Sequence, residues 1–276
     1  MNISKKSLLT FCVVNGSLIS FSLINYVCIF YINDLAFFNK LWTTYCVYLS
    51  RKYLMMTYLS YVTRYKRFIS PANSNSLANY QPMSHLYVLS ATFVDAMTSL
   101  LLYDRFIYNE RTISRSLLYF IPVSLPFEII LDFFHYWMHR IAHLNKILYI
   151  YIHKTHHRHV NPVFINAFYF SPVDSVWSLT IPMVLTVSMS PYRLSLFDYV
   201  MLSVYREYTE LAGHSGKMLA PGSSFPQCIW IPRLLKIQLY AEDHNLHHKV
   251  GNCNFAKRFS LWDKLFGTYN SGVDAE

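Results

Sequence analysis

Residues 132–157 read DFFHYWMHRIAHLNKILYIYIHKTHH and carry six of the chain's twelve histidines. His135, His139 and His143 recur at i, i+4 and i+8, a spacing that stacks side chains along one face of a helix. His153, His156 and His157 follow at i, i+3 and i+4, again one helical face. The same HxxHH spacing returns at His244, His247 and His248, and between the two lies His214 in the segment ELAGHSG. Neutral imidazole ligates iron, zinc and copper, and a site is built where ligands from several segments converge. A lone HxxxH is commonplace on surfaces and in cores. One HxxxH followed by two HxxHH boxes in a short chain is far more specific. Ten histidines exceed what one four-coordinate ion needs, so the count points to two metal ions held between helices.

Outward from this stretch, the composition is that of a membrane protein. Hydrophobic residues make up 53% of the 276 and charged residues only 14%, against about 25% charged in soluble domains. The many Tyr and Trp suit a bilayer interface. The net charge is +9 with histidine neutral. The basic residues flank apolar spans rather than forming a polar patch, which argues against a nucleic-acid partner. Positive flanks on cytoplasmic segments account for the excess, and they would also attract anionic lipid or an acidic redox partner. Cys12, Cys28, Cys46, Cys228 and Cys253 are scattered without a CxxC pair and read as buried thiols rather than a disulfide framework.

Along the chain, Leu8 to Ile32 contains no charged residue and is long enough to span a bilayer. It is long for a cleaved signal, and Lys5 and Lys6 before it favour a cytoplasmic N-terminus. Residues 35–63 are apolar but broken by Lys40, Arg51 and Lys52, as a second span or an interfacial helix would be. The loop-like segment 71–82 divides an N-terminal membrane region, 1–82, from a catalytic domain, 83–276. Residues 84–103 predict a helix with Asp95 facing a polar interior. Leu117 to Phe134, with Pro122 and Pro126 inside, predicts an apolar helix that delivers the first histidine box just beyond the bilayer. Residues 164–190 predict a re-entrant hairpin, 194–208 an amphipathic helix running to Glu210 and His214, and 216–232 an irregular loop capping the site. The fold class is therefore all-α: an integral membrane helical bundle with a histidine-rich di-metal cap.

The boxes HRIAH, HKTHH and HNLHH, in that order, resemble the fatty acid hydroxylase superfamily, the membrane di-iron group that includes sterol desaturases and C-4 methylsterol oxidases. DFFHYWMHR, the HSG at His214, and NCNFAKRFSLWDKLFGTY at 252–269 extend the resemblance over about residues 116–270. His135 and the HSG are most similar to the methylsterol oxidase branch. Ser171, in Ser-Pro-Val-Asp, stands where family members usually carry histidine. The resemblance implies two iron ions held by His135, His139, His143, His153, His156, His157, His214, His244, His247 and His248. It further implies O2 as co-substrate, electrons from cytochrome b5 and an NAD(P)H-dependent reductase, and hydroxylation or desaturation of a sterol or fatty acyl lipid. The setting it implies is the endoplasmic reticulum membrane, with the boxes facing the cytosol.

Asp132, Glu210, Glu242 and Asp243 are the acids placed to orient imidazoles by accepting their second N–H, with Asp132 and Glu210 the leading catalytic candidates. Glu210, four residues before His214, is alternatively a direct ligand. Two other readings stand beside the oxidase. One is an inactive relative that binds metal or lipid. The other is a membrane zinc hydrolase, whose HExxH motif is missing here. His85 and His159 lie outside the box pattern.

Overall fold

A computed structural model describes residues 5–32, 34–74, 83–108, 112–219 and 224–273. The described residues are mostly helical, with almost no strand. The principal helices are α1 (Lys5–Tyr31), α2 (Phe37–Val62), α3 (Met83–Phe106), α4 (Ile113–Leu144), α5 (Ile181–Met189), α6 (Leu196–Gly213) and α7 (Ala241–Val250). The two-residue strands β1 (Ile107–Tyr108) and β2 (Leu194–Ser195) form a parallel pair. It closes the end of the bundle where α3 stops and α6 begins.

Three helices among the described residues are long and apolar enough to cross a membrane: Leu8–Tyr31, Met83–Phe106 and Ile113–Leu144. All three agree with the helices expected from the sequence, and the third extends beyond the expected run. α4 runs unbroken through Pro122 and Pro126 into the first histidine box. Each proline forfeits one backbone hydrogen bond. Burial of Phe120, Val123, Phe127 and Leu131 on the inner face of the helix offsets that loss.

α6 is the axis of the bundle. Sequence periodicity predicts an amphipathic helix here, yet nearly every residue from Leu196 to Ala212 is buried. The reason is that α1, α2, α4 and α7 all pack against it. A capping box starts the helix. Ser195 Oγ accepts from Asp198 N–H at 3.1 Å, and the Ser195 N–H donates to Asp198 Oδ2 at 2.9 Å.

α2 is a continuous helix, but Arg51 and Lys52 on it point inward. Arg51 donates to Glu207 Oε2 at 2.7 Å and to Ser203 Oγ at 3.2 Å. Lys52 pairs with Asp95, and Arg206 reaches the same carboxylate at 2.8 Å. Asp95 thus has the structural role expected of it, bolting α2, α3 and α6 together. Removing one partner of such a pair leaves a buried charge uncompensated. Glu207→Leu is therefore expected to destabilise the fold by about 3 kcal/mol or more. The double change Glu207→Leu, Arg51→Met should recover much of that loss, as thermal unfolding in detergent would show.

Other segments depart from expectation. The apolar runs of 164–190 do not form two arms of a hairpin. A 3-10 turn, Phe164–Phe168, precedes one helical run from Pro172 to Met189, with a π-helical turn at Val176–Thr180. The second box is not a regular α-helix either: His153 ends a π-helical turn, and His156 and His157 begin a 3-10 turn. Of the thiols, Cys253 is buried, whereas Cys12 and Cys46 are exposed on outward faces of α1 and α2. The expected boundary loop begins with a helical turn at Pro71–Ser74, and its remainder, 75–82, lies outside the described residues. So does 220–223 in the expected cap loop.

Candidate metal centre

Four segments deliver the histidines to one place: the last turns of α4, the irregular second box, the C-terminal end of α6, and α7. They form two groups. His139, His143, His153, His157 and His247 make the first, and His156, His214, His244 and His248 the second. Within each group the ligand nitrogens all lie within 4.8 Å of one another. The groups abut, with the His157 and His248 rings stacked at 4.7 Å.

The separations are those a metal ion imposes. His157 Nε2 lies 3.0 Å from His143 Nε2 and 3.1 Å from His247 Nε2. In the second group, His214 Nε2 lies 3.2 Å from His156, 3.1 Å from His244 and 3.2 Å from His248, each measured to Nε2. Nitrogens about 2.1 Å from a shared ion would sit about 3.0–3.4 Å apart.

The tautomers agree with this reading. A carbonyl only accepts, so an imidazole nitrogen facing one must carry the proton. The Nδ1–H of His139 donates to the Phe255 carbonyl at 2.7 Å and that of His247 to the Cys253 carbonyl at 2.7 Å. The Nδ1–H of His214 donates to the Glu210 carbonyl at 2.9 Å. Each leaves a bare Nε2 turned into its group. His139 Nε2 and His153 Nε2 are buried without a hydrogen-bond partner, an arrangement that costs energy unless something else fills it. The donor set therefore fits two ions. Burial first, and then repulsion from neighbouring histidines (for His244, from Lys257 ahead of them), holds His156, His157, His244, His247 and His248 well below the usual imidazole pKa. They are neutral, the form that ligates.

One predicted ligand stands apart. His135 belongs to neither group, and its Nδ1–H donates to the Ser178 carbonyl at 3.2 Å. His135→Ala is expected to leave the bound metal content unchanged, whereas His139→Ala should lower it; elemental analysis of the purified variants checks both. His85 and His159 also lie outside the groups, as their position outside the boxes implied.

The acids divide differently from the sequence expectation. Asp132 touches no imidazole: its Oδ1 accepts the N–H groups of Lys257 and Arg258 at 2.8 and 2.9 Å, and its Oδ2 that of Phe259 at 3.0 Å. It is a clamp on the backbone of 257–259. Asp243 likewise accepts backbone N–H groups, from Tyr240 and Gly272. Glu210 does meet the site, with Oε1 3.6 Å from His214 Nδ1 and 3.2 Å from Lys257 Nζ. Burial alone would raise its pKa. Burial is the largest single influence, but Lys257 together with His214, His135 and Arg258 outweighs it and holds the pKa down at about 2. Glu210 is thus paired with the Lys257 cation and stands outside the two histidine groups.

Two contributors escaped the sequence reading. Asp174 accepts from His153 Nδ1–H at 3.0 Å and from Ser178 Oγ–H at 2.6 Å; its signal was the Ser-Pro-Val-Asp segment itself. Ser171 caps that turn, its Oγ accepting from Asp174 N–H at 3.1 Å. Lys257 Nζ lies 2.9 Å from His244 Nε2, and no spacing rule marks it. Gly251 serves through its backbone. Its positive φ of 71° ends α7 and turns the chain back, so that the carbonyls of Cys253 and Phe255 meet the histidines.

The fatty acid hydroxylase family model matches residues 125–268. A fatty acid hydroxylase of Lecanicillium sp is 30% identical over 148 residues, covering 51% of this chain and 40% of the relative. Sphinganine C4-monooxygenase 1 of Arabidopsis thaliana is 31% identical over 150 residues, 51% of each chain. The C-4 methylsterol oxidase of Schizosaccharomyces pombe is 27% identical over 143 residues, 50% of this chain and 43% of the relative. The chain thus spans about half the length of the curated relatives it matches. No solved structure matches it.

Proposed function

The chain belongs to the fatty acid hydroxylase family, and on that premise we propose that it is a membrane-bound oxidoreductase that uses O2 to hydroxylate or desaturate a lipid. Two iron ions would be held by His139, His143, His153, His157 and His247 and by His156, His214, His244 and His248. The observation that carries this reading is the convergence of nine imidazoles into two abutting groups, with the Nε2 atoms of His139 and His153 buried and without a hydrogen-bond partner. When bound, reduced iron would supply the activation of O2 needed to attack an unactivated C–H bond.

The protein's own residues would do the rest. The carbonyls of Phe255, Cys253 and Glu210 and the carboxylate of Asp174 hold the rings in register. Burial of His139, His153, His156, His214 and all three α7 histidines keeps bulk water from the centre. Glu210 and Lys257 form a neutral pair beside the second group.

Electrons would come from a cytochrome b5-type partner and its reductase, attracted by the basic face of the chain. Several cations lie on the histidine side of the bundle. Ile69 N–H donates to the Gly216 carbonyl, two residues beyond His214, which brings Arg64, Lys66 and Arg67 to that side. Their position favours a histidine cap facing the cytosol, with the endoplasmic reticulum as the membrane.

The test is an untargeted lipid profile of cells expressing the chain with cytochrome b5 and its reductase, beside the His153→Ala, His247→Ala double variant. A lipid that gains oxygen or loses two hydrogens only with the unaltered chain supports the reading and names the substrate. No difference, with iron confirmed in the purified protein, would replace it with an inactive metal-binding relative.

A further inference from the structure

A cavity of about 290 Å³ lies between the first turns of α1, the last turns of α2, the C-terminal half of α6 and the segment around Pro226. Leu9, Val13, Leu59, Val62, Tyr208 and Ile229 are among the residues that line it. Leu59, Tyr208 and Ile229 are buried at the back, whereas Leu9, Val13 and Val62 are exposed at the mouth. No histidine lines it. Tyr208 and His214 are six residues apart on α6 and its cap, about 9 Å along the axis. The cavity is therefore separate from the metal centre.

Its rim has one sign of charge. Lys66 lines the opening, with exposed Arg64 and Arg67 beside it. No lining residue is acidic. The first 94 residues contain eight Lys and Arg but a single acid, Asp34. Asp34 follows the far end of α1, about 40 Å from Lys5 by helical rise. An apolar slot opening from a helix of membrane-spanning length, with a basic rim at one end, matches an amphiphile with an anionic head.

We infer that this cavity holds one acyl chain of an anionic glycerophospholipid, its phosphate resting among Arg64, Lys66 and Arg67. The bound lipid wedges α1 against α2 and α6. It is linked to the histidine side, because Lys217, three residues after His214, donates to the Thr63 carbonyl at 2.9 Å, and Thr63 lines the cavity. The lipid is a retained ligand, not the molecule oxidised, so the inference stands apart from the proposed reaction.

The experiment is native mass spectrometry of the full chain purified in neutral detergent and titrated with dioleoyl phosphatidylserine or dioleoyl phosphatidylcholine. One phosphatidylserine should be retained, at least about tenfold more tightly than phosphatidylcholine. Val13→Trp, which fills the mouth from an exposed position, should abolish retention while the thermal unfolding midpoint without added lipid stays unchanged. The triple change Arg64→Gln, Lys66→Gln, Arg67→Gln should keep binding of the acyl chain but erase the preference for phosphatidylserine. Equal retention of the two lipids by the unaltered chain, or full retention by Val13→Trp, would overturn the inference. So would a second copy of the chain in place of lipid.

Discussion

Replacing His247 with alanine is expected to cut lipid oxidation by more than about 100-fold and to lower bound metal, with membrane insertion intact. The floor comes from residues that merely orient ligands, whose loss costs about 10–100-fold. His247 is closer to the chemistry than those. Its Nε2 lies 3.1 Å from His157 Nε2, and its Nδ1–H is committed to the Cys253 carbonyl. Alanine is the strongest helix former, so α7 itself should survive. His153→Ala should behave alike, since its orphaned Nε2 faces the same group while Asp174 holds its other nitrogen. Ligands of one centre act as a unit, so the double variant should be little worse than either single one. Elemental analysis and product formation are the two readouts. Full activity in either variant would remove that residue from the centre.

Asp132→Ala should have the largest effect on stability. One carboxylate serves three backbone N–H groups of 257–259, and all of these groups are buried. A buried donor left without a partner costs about 1–3 kcal/mol. Three of them imply a loss of at least about 3 kcal/mol, large against the whole stability of a domain. Metal content should fall as well, because 253–259 supplies the carbonyls that orient His139 and His247. Asp132→Asn, which keeps one acceptor oxygen, should fall between the two. Thermal unfolding and the rate of tryptic cleavage at Lys257 and Arg258 measure the change. A loss under about 1 kcal/mol would mean that water or a shifted loop replaces the clamp.

The sequence alone determined the kind of protein. Uninterrupted apolar stretches of spanning length, and a density of histidines at helical spacing, depend only on local order along the chain, so α1, α3 and α4, and the nine histidines that gather into the two groups, were legible from it. Three-dimensional packing decided how the ligands are shared. Residues at i and i+4 are about 40° apart around a helix, whereas i+3 is turned about 60° the other way. That turn splits the third box, on the regular helix α7, between the groups, and the irregular second box splits in the same pattern. His153 and His157 join the first and His156 the second, while His244 and His248 join the second and His247 the first.

Packing also set His135 apart. It shares the stripe of His139 and His143, and its ring lies 5.3 Å from that of His139, but its Nδ1–H is turned to the Ser178 carbonyl and it joins neither group. The acids were decided in the same way. Asp132 looks like a partner for the first box by proximity in sequence, yet the return of the chain after Gly251 presents it with three backbone donors instead. Lys257 and Asp174 reach the imidazoles only because distant segments fold onto them. Spacing along one helix encodes which side chains share a face. It does not encode which other segment comes to meet that face, and that meeting is what assigned each residue its partner.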